Sequence, residues 1–318
     1  MKSAVIGLGV IGKVHAELLK QNGTLAAVCD CDGEKLRLYQ GVRGYNDWRE
    51  LLEKERPDAV HICTPHCLHA EMTIAALEQN INVLCEKPLY MRREEIEKIL
   101  SAERNSRAQL GVCFQNRYNP SSLYAKNFLR GKTVSGGAGT LVWRRDKQYY
   151  ASAQWRGTRA GEGGGVLINQ ALHTVDLLCW FLGVPDFVTA TVCNLSLQNV
   201  IEVEDTAVVR CTGKSGFSLF ATNGGARDFP PEIVLQAEGG ELRVLPNGVF
   251  VNGEKVPVAR MREGLAKPCY GGGHGALIED FYNCLRTGRK FEIDGKEGAK
   301  AVKIVLAAYE SAGKEVKV

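Results

Sequence analysis

The sequence contains no apolar run near the ~18 residues that a membrane-spanning helix requires. It contains no low-complexity tract either, and its 40 basic and 36 acidic residues leave a net charge of only +4. These absences argue against a membrane-embedded chain, a disordered chain and a protein drawn to nucleic acid by a strong positive field. The 318 residues, of which 45% are hydrophobic, instead predict a globular protein of two domains.

A disulfide framework is not expected. The eleven cysteines are odd in number and lie in segments with the patterns of strands and helices, which is typical of reduced thiols in the cytosol. The stretch from Lys2 to Gly12 has the basic start and apolar run of a short signal peptide, but its glycines suit a tight turn and no small-residue cleavage site follows. We therefore expect a cytoplasmic protein.

The start of the chain has the order of a dinucleotide-binding turn. An apolar strand over Ser3–Ile6 leads into Gly7-Leu-Gly-Val-Ile-Gly12, and a helix is predicted over Lys13–Gln21. In this arrangement the first glycine makes the turn, the second lets the backbone approach a pyrophosphate, and the third lets helix and strand pack closely. The amides at the helix start then point at the phosphates.

A second strand, Leu25–Cys29, ends at Asp30. A carboxylate at this distance from the glycines binds the adenosine ribose and repels a 2′-phosphate, which favours NAD over NADP. Lys35 and Arg37 lie close enough in sequence to weaken that preference. The alternative role for Asp30 is to cap the next helix.

The pattern of alternating strands and helices continues to residue 118 and predicts a parallel sheet with helices on both faces. Ligands bind at the carboxyl ends of the strands in such folds. The further predicted strands are Asp58–Cys63, Ile81–Cys85 and Ala108–Phe114, and the helices are Ala70–Asn80 and Arg93–Ser106.

Three of the six histidines and two of the eleven cysteines lie between His61 and His69, which raises the question of a zinc site. A closed zinc site needs converging ligands, usually from two pairs far apart in sequence, and no second pair in the sequence is spaced to complete one. We therefore predict no metal, and we interpret Thr64-Pro65-His66 as a loop at a strand end that touches the cofactor. Cys63 and Cys67 are then small hydrophobic residues.

The segment Ile168–Leu182 has apolar residues at helical spacing and is predicted to be a helix buried on nearly all sides. Asn169, His173 and Asp176 form a narrow polar stripe on it. The polar side chains of such a stripe hydrogen-bond within a structural network, face bulk solvent or line a water-filled cavity. For Asp176 two roles stay open, which are binding a substrate and bracing the helix.

Motifs along nearly the whole chain resemble the glucose–fructose oxidoreductase / inositol dehydrogenase / rhizopine-catabolism (Gfo/Idh/MocA) oxidoreductase family. They add to the glycine turn and the Thr-Pro loop. The motifs are Glu86-Lys87-Pro88, Trp155-Arg156, Gly163–Asp176, Val203–Ala207, Tyr270–His274 and Ile278–Phe281.

The resemblance implies an α/β fold in two domains. Residues 1–118 would form an N-terminal Rossmann dinucleotide-binding domain, and residues 119–318 a C-terminal α/β domain with an open, mostly antiparallel sheet. Because that sheet often forms the oligomer contact in the family, a homodimer or homotetramer through the C-terminal sheet is expected. The implied activity is nicotinamide-dependent oxidation of a sugar or cyclitol hydroxyl, or the reverse reduction.

By motif match, Lys87 corresponds to the family's active-site lysine and His173 to its acid/base histidine. Histidine suits proton transfer because it ordinarily titrates near working pH, and which of the two residues is the base stays open. Asn169 stands where many members have an aspartate, a departure common among members that act on nucleotide sugars or glycosides. The expected cofactor contacts are Gly7, Gly9, Val10, Ile11, Gly12, Asp30, Thr64, Pro65, His66, His69, Glu86, Lys87 and Gln115. The expected substrate contacts are Lys87, Tyr149, Trp155, Arg156, Asn169, His173 and Asp176, and the catalytic residues among them are Lys87, His173 and Asn169.

The stretch Trp143–Arg159 has five basic residues, four aromatic residues and one acidic residue. It is either a solvated strand and loop or part of a substrate site, since aromatic faces stack on sugar rings and arginines hold carboxylates or phosphates. Nucleic-acid binding by one short patch on a near-neutral chain is not expected. The stretch favours a glycoside, a uronate or a nucleotide-linked sugar over a neutral free polyol. His274, after a run of glycines, is a further candidate for the pocket lining.

We therefore predict an NAD-dependent oxidoreductase that transfers hydride between nicotinamide and a secondary hydroxyl of a sugar derivative, which is a glycoside, uronate, nucleotide sugar or cyclitol. Two alternatives stay open. One is an NAD-dependent glycosidase or lyase that oxidises its sugar transiently, and the other is a non-catalytic NAD(H)-binding regulator. The expected partner is a small sugar-derived molecule, and neither nucleic acid nor a membrane.

Overall fold

The structure is a computed structural model that describes residues 1–259 and 272–318. It divides the chain into two compact units, Met1–Cys113 with His274–Ala299 and Phe114–Gly273 with Lys300–Val318. Tyr270 and Gly271, which belong to one of the sequence motifs, lie outside the described residues.

Residues 274–299 pack with the first unit, whereas the sequence placed everything after residue 118 in the second domain. The reason is aromatic packing on the strand that contains Gly111. A Cβ atom at Gly111 would lie 3.0 Å from the rings of both Phe281 and Phe291, so these two buried side chains rest directly on the backbone of that strand. A segment near the end of the chain thus completes the core of the first unit.

The first unit confirms the predicted Rossmann fold. Its strands are β1 (Ser3–Ile6), β2 (Leu25–Cys29), β3 (Arg43–Tyr45), β4 (Ala59–Ile62), β5 (Asn82–Cys85) and β6 (Leu110–Val112). They form a parallel sheet in the order β3-β2-β1-β4-β5-β6. The helices between them are α1 (Val10–Gln21), α2 (Gly33–Leu36), α3 (Trp48–Glu55), α4 (His66–Glu78) and α5 (Arg93–Asn105).

Helix starts in this unit differ from the prediction more than strands do. Helix α1 begins at Val10 and α4 at His66, each earlier than the apolar period indicates, because Gly9 and Pro65 occupy the N-cap positions. The short elements α2, β3 and α3 were not predicted. Helix α3 has a polar N-cap, since Asp47 accepts a hydrogen bond from the amide of Arg49 at 2.8 Å.

The second unit contains the predicted open, mostly antiparallel sheet. Its strands are β7 (Val134–Val142), β8 (Phe187–Cys193), β9 (Thr206–Thr212), β10 (Phe217–Thr222), β11 (Glu232–Ala237), β12 (Gly240–Leu245), β13 (Gly248–Val251), β14 (Glu254–Val256) and β15 (Val316–Lys317). Their order is β14-β13-β12-β11-β7-β10-β9-β8-β15, in which the β7–β10 pair is parallel. The helices after β6 are α6 (Pro120–Phe128), α7 (Lys147–Ala151), α8 (Arg159–Glu162), α9 (Leu172–Leu182), α10 (Gly273–Thr287) and α11 (Gly295–Ser311).

Helix α9 begins at Leu172 rather than at Ile168, so Asn169 lies in the turn before the helix. The carboxyl group of Glu204 accepts hydrogen bonds from the amides of Gly165 (2.8 Å) and Leu167 (3.0 Å) and holds that stretch in turns. The predicted burial of α9 on nearly all sides is confirmed. Within residues 1–259 and 272–318, no helix combines the length and the apolar character needed to cross a bilayer.

Candidate active site

Three of the predicted cofactor segments follow neighbouring strands of the first sheet. The Gly7–Gly12 turn follows β1, Thr64 follows β4, and Glu86 with Lys87 follows β5. Because β1, β4 and β5 are adjacent and parallel, their carboxyl ends lie at one edge of the sheet, where such folds bind ligands. The structure therefore brings these segments together.

The glycine turn has the shape that a dinucleotide requires. Gly7 has a φ of +91°, a conformation that favours glycine. A Cβ atom at Gly12 would lie 1.8 Å from the carbonyl oxygen of Gly7, so α1 packs on this turn only because position 12 has no side chain. Gly9 differs, because a Cβ atom there would meet nothing within 4 Å. Its backbone is open to a pyrophosphate beside Val10 and Ile11 in the first turn of α1. These residues fit NAD.

Asp30 follows β2 as predicted, and its carboxylate has protein partners. It accepts hydrogen bonds from the amides of Leu8 (2.7 Å) and Asp32 (2.9 Å), and Lys35 Nζ lies 3.1 Å from Oδ1. Burial alone would raise the pKa of Asp30, but the amides of Asp32 and Leu8 and the Lys35 ammonium hold it below its usual value. Asp30 is thus ionised at neutral pH and also anchors the glycine turn through Leu8.

His69 ties together two of the loops at the sheet edge. Its Nδ1 lies 2.7 Å from the carbonyl oxygen of Pro88, its Nε2 lies 2.8 Å from that of Thr64, and the side chain is buried. The Thr64 loop is thereby joined to the Glu86–Pro88 turn, in which the Lys87–Pro88 bond is cis. His66 is also buried, with its ring centroid 5.8 Å from that of His69. Contacts of these two histidines with a cofactor stay predictions.

Glu86 lies in a cluster of ionisable side chains that the sequence did not bring together. His15 Nε2 lies 3.1 Å and His274 Nε2 lies 3.8 Å from Glu86 Oε1, and the amide of Lys87 donates to Oε2 at 3.2 Å. Burial alone would raise the pKa of Glu86, but the hydrogen bond and charge of His15, then the charges of His274 and Lys87, hold it well below its ordinary value. Glu86 is thus a buried carboxylate beside the half-buried Lys87.

Cys113 completes this cluster. Its Sγ lies 3.9 Å from His15 Nε2, and the ligand-type atoms of His15, Glu86, Cys113 and His274 lie within 4.8 Å of one another. No residue of the His61–His69 stretch belongs to such a group among the described residues. The available sequence signal was His15 itself, a histidine on the buried face of an otherwise amphipathic helix.

His173 differs from every other histidine of the chain. It lies in the first turn of α9 and is half-buried, whereas the other five histidines are buried. Its ring packs edge-on against Phe114 with a centroid distance of 5.9 Å, and its Nε2 lies 3.4 Å from Gln115 Nε2. The predicted acid/base histidine and the predicted cofactor residue Gln115 therefore adjoin within the second unit.

Asp176, one turn further along α9, forms a buried ion pair. Arg117 Nε lies 2.8 Å from Asp176 Oδ2, and a terminal guanidinium nitrogen of Arg117 lies 2.6 Å from Oδ1, so the ion pair is bidentate. Asp176 is only 1% exposed. Of the two roles left open by the sequence, this geometry favours bracing the helix.

Asn169 donates a side-chain hydrogen bond to Glu162, a residue that the sequence did not single out. Glu162 is buried at the end of α8 and also accepts from the amide of Gly157 at 2.5 Å. Burial raises the pKa of the Glu162 carboxyl, in spite of these two hydrogen bonds. The Glu162 carboxyl group is therefore the hydrogen-bond acceptor of the Asn169 side-chain amide.

The predicted substrate residues Tyr149, Trp155 and Arg156 lie together. The Arg156 guanidinium is 4.5 Å from the ring centroid of Tyr149 and 4.7 Å from that of Trp155, and it donates to the Tyr149 hydroxyl at 2.5 Å. Gln170 donates to the same hydroxyl at 3.3 Å, which joins this group to the turn that contains Asn169. All three predicted residues are half-buried and accessible to a ligand.

Two family models match the chain. The model for the Gfo/Idh/MocA oxidoreductase family with an NAD-binding Rossmann fold matches residues 1–114, and the model for the Gfo/Idh/MocA C-terminal domain matches residues 131–243. These matches confirm the resemblance seen in the motifs and the prediction of an NAD-binding domain.

Individual relatives are dehydrogenases of sugars and cyclitols. Myo-inositol 2-dehydrogenase from Thermotoga maritima is 28% identical over 189 residues, covering 58% of this chain and 55% of that protein. Levoglucosan dehydrogenase from Pseudarthrobacter phenanthrenivorans is 30% identical over 176 residues, covering 54% of this chain and 43% of that protein. The chain thus matches about half the length of these curated relatives. The WlbA dehydrogenase from Bordetella pertussis, solved with NADH and UDP-GlcNAcA, has a TM-score of 0.86 and 27% identity, covering 100% of this chain and 98% of that one.

Proposed function

We propose that this chain, which belongs to the Gfo/Idh/MocA oxidoreductase family, is an NAD-dependent dehydrogenase acting on a secondary hydroxyl of a sugar derivative. The observation that carries the proposal is the half-buried imidazole of His173, because the other five histidines are buried. A general acid or base must come within hydrogen-bond reach of the proton that it transfers. Bound NAD supplies the hydride acceptor.

The roles of the residues follow from their surroundings. His173 takes the hydroxyl proton during oxidation, and its ring is oriented by Phe114 and Gln115. Lys87 contributes a positive charge that stabilises a developing alkoxide and shares the proton. Asn169, held by Glu162, presents its amide one turn before His173 to bind a substrate hydroxyl. The sugar is then oxidised to a ketone at the carbon that loses hydride.

The proposed substrate class is an acidic or nucleotide-linked sugar. Arg156 lies against two aromatic rings, and its Nε is buried without a hydrogen-bond partner among the described residues. An arginine fork with donors to spare suits a carboxylate or a phosphate. The Bordetella pertussis structure contains UDP-GlcNAcA, which combines a nucleotide with a sugar acid, and this supports the same class here.

The test is an NADH-absorbance screen of the full-length chain over free sugars, sugar acids, cyclitols, glycosides and nucleotide sugars. We expect turnover with sugar acids or nucleotide sugars to exceed turnover with neutral polyols. With the best substrate, His173→Ala is expected to lower kcat by about 10²- to 10⁴-fold and to leave the Kd for NAD unchanged. Gln198→Ala, which alters an exposed amide of the same unit, serves as the control.

Other outcomes would replace the proposal. Equal loss of turnover and NAD affinity in His173→Ala would assign a folding role to the histidine. Release of a free sugar without net NADH would identify a glycosidase or lyase. NAD binding without turnover on any substrate of the panel would identify a regulator.

A further inference from the structure

Four side chains of the types that ligate metal ions converge inside the first unit, and each comes from a different part of the fold. His15 lies on α1, Glu86 follows β5, Cys113 follows β6, and His274 lies in the first turn of α10. All four are buried, and their ligand-type atoms lie within 4.8 Å of one another. We call them the four-ligand cluster. The proposed oxidation assigns no role to His15, Cys113 or His274.

The spacing of the cluster is close to that of ligands around one tetrahedral ion. Zinc binds nitrogen and oxygen at about 2.0 to 2.2 Å and sulfur at about 2.3 Å, which places the ligand atoms about 3.3 to 3.7 Å apart. Glu86 Oε1 lies 3.1 Å from His15 Nε2 and 3.8 Å from His274 Nε2. Cys113 Sγ lies 3.9 Å from His15 Nε2. Small side-chain movements would therefore seat an ion among them.

Hydrogen bonding leaves His274 unexplained. The residue is only 5% exposed, and its Nδ1 is buried without a hydrogen-bond partner among the described residues. Its Nε2 faces the Glu86 carboxylate at 3.8 Å, which is too long for an N–H···O hydrogen bond. Because buried polar groups without partners cost free energy, such a group needs another ligand. An ion between Nε2 and the carboxylate would supply one.

His15 has the partner that a ligating histidine requires. Such a histidine is oriented by donating its other ring N–H to a neighbouring acceptor. His15 Nδ1 lies 2.8 Å from His61 Nδ1, and His61 Nε2 lies 3.0 Å from the Tyr282 hydroxyl. His15 can thus donate from Nδ1 into this line of buried groups and keep the lone pair of Nε2 for a metal.

We propose that the four-ligand cluster binds one Zn²⁺ ion. Two imidazole nitrogens, one carboxylate oxygen and one thiolate sulfur suit zinc, whereas Mg²⁺ and Ca²⁺ prefer oxygen ligands alone. Cys113 binds as a thiolate, so its thiol proton passes to the solvent when the ion binds. Four protein ligands leave no position for a substrate. The site is therefore structural, and it does not depend on the proposed function.

This inference departs from the prediction of no metal, which rested on the spacing of ligands along the sequence. His15 is separated from Glu86 by 71 positions and from Cys113 by 98, so no local pattern marks the cluster. The ion would join the start of α10 to α1 and to the ends of β5 and β6. It would thus secure the return of residues 274–299 to the first unit.

The test uses the full-length chain without a histidine tag. Bound metal is removed with a chelator, and zinc chloride is titrated back by calorimetry. We expect one zinc per chain and a melting temperature that rises with zinc concentration, because the ion binds the folded state. Cobalt(II) in place of zinc should give the strong visible absorption of tetrahedral coordination and a sulfur-to-cobalt charge-transfer band.

Single variants assign the ligands. Cys113→Ala should abolish the charge-transfer band, and both Cys113→Ala and His274→Gln should weaken zinc binding by about 100-fold or more, since loss of a partner beyond the ligands already costs about 10- to 100-fold. Cys284→Ala is the matched control. Cys284 is a fully buried cysteine on the same helix as His274 and lies outside the cluster. It should retain the zinc affinity and the cobalt spectrum of the unmodified chain.

Three results would overturn the inference. The first is a chelated chain that is folded by circular dichroism and binds no zinc. The second is a cobalt spectrum of the unmodified chain without the sulfur band, which would exclude Cys113 as a ligand even if its variants did not fold. The third is an unchanged zinc affinity in Cys113→Ala and His274→Gln, or an equal loss in Cys284→Ala, since either would place the ion elsewhere. Absence of turnover on every sugar would contradict the proposed function and leave the zinc result standing.

Discussion

The side-chain amide of Asn169 lies beside a carboxyl group, that of Glu162, although position 169 itself supplies none. Glu162 is 1% exposed and accepts hydrogen bonds from the Asn169 amide and the Gly157 backbone. An amide at position 169 suits this neighbour, because it donates a hydrogen bond and adds no second negative charge. Where the resemblance implies an aspartate at position 169, the carboxyl group beside this position comes instead from another element of the fold.

Asn169→Asp is expected to make stability fall as the pH rises. Two carboxyl groups at hydrogen-bond distance do not both ionise, so the folded state retains a proton and the already raised pKa of Glu162 rises further. The stability that this proton contributes is complete below the ordinary glutamate value of 4.5 and is lost as the pH climbs through the raised value. Thermal unfolding at about pH 5 and about pH 8 should show a larger drop in Tm than in the unmodified chain. The double variant Glu162→Gln/Asn169→Asp should remove the difference, and an equal drop at both pH values would contradict the argument.

Residue types and family motifs were enough to single out Lys87, His173 and the Tyr149–Arg156 group, because each is a chemically distinctive residue within a recognisable stretch, and their roles in the site stay predictions. They were not enough for Asp176, whose partner Arg117 lies 59 positions away in sequence. Glu162 was missed for a similar reason, since nothing local marks a glutamate before three glycines as a buried hydrogen-bond acceptor. Partners brought together by tertiary packing have no signature in a local pattern.

Among the elements, β1 and β2 have the bounds that the sequence predicts, because each is an apolar run that ends at a glycine or an aspartate. The predicted helix starts were wrong by three or four positions. The helices begin at Val10, His66 and Leu172. Each start depends on the turn that precedes the helix. Glycines form that turn before Val10, Pro65 forms it before His66, and the Glu204 carboxyl group stabilises it before Leu172. The spacing of apolar residues carries no information on such contacts.

Gly9→Ala is expected to weaken NAD binding without destabilising the fold. Its φ of −70° is one that alanine adopts, and the added Cβ meets no protein atom within 4 Å. The methyl group would instead occupy the space that a pyrophosphate needs, and the Kd for NAD should rise about tenfold, which equals about 1.4 kcal/mol. Calorimetric titration measures the affinity, and thermal unfolding measures the stability.

Gly33→Ala is the matched control, because a Cβ atom there also meets nothing within 4 Å. It lies in α2, outside the glycine turn. We expect both variants to retain the unmodified Tm and only Gly9→Ala to lose affinity. An unchanged Kd in Gly9→Ala would show that the pyrophosphate does not approach the backbone at this glycine.

At the scale of the whole chain, the two units were predicted in kind, and the return of residues 274–299 to the first unit was not. That return places Tyr282 against Ser3 and His61, which precede it by 279 and 221 positions. The large separation in sequence between contacting residues explains why the cluster of ionisable side chains around Glu86 has no counterpart in the sequence motifs.

The exposed face of the second sheet supports the prediction of self-association. Phe220 and Val208 are cross-strand partners on β10 and β9, and they are 40% and 54% exposed. The row that they form continues to Thr140 on β7 and Thr191 on β8, which are also exposed. Aromatic and β-branched side chains in register across four neighbouring strands give a flat surface with an apolar centre, of the kind that partner proteins cover.

Phe220→Lys is therefore expected to dissociate the predicted homodimer or homotetramer. The added charge would be desolvated at the centre of the contact, whereas NAD binding, which depends on the first unit, should not change. Size-exclusion chromatography with light scattering should show a smaller mass for this variant at the same concentration. Phe229→Lys is the control, because Phe229 has a similar exposure of 41% and lies outside the strands. A monomeric unmodified chain, or an unchanged mass in Phe220→Lys, would show that this face is not where copies of the chain meet.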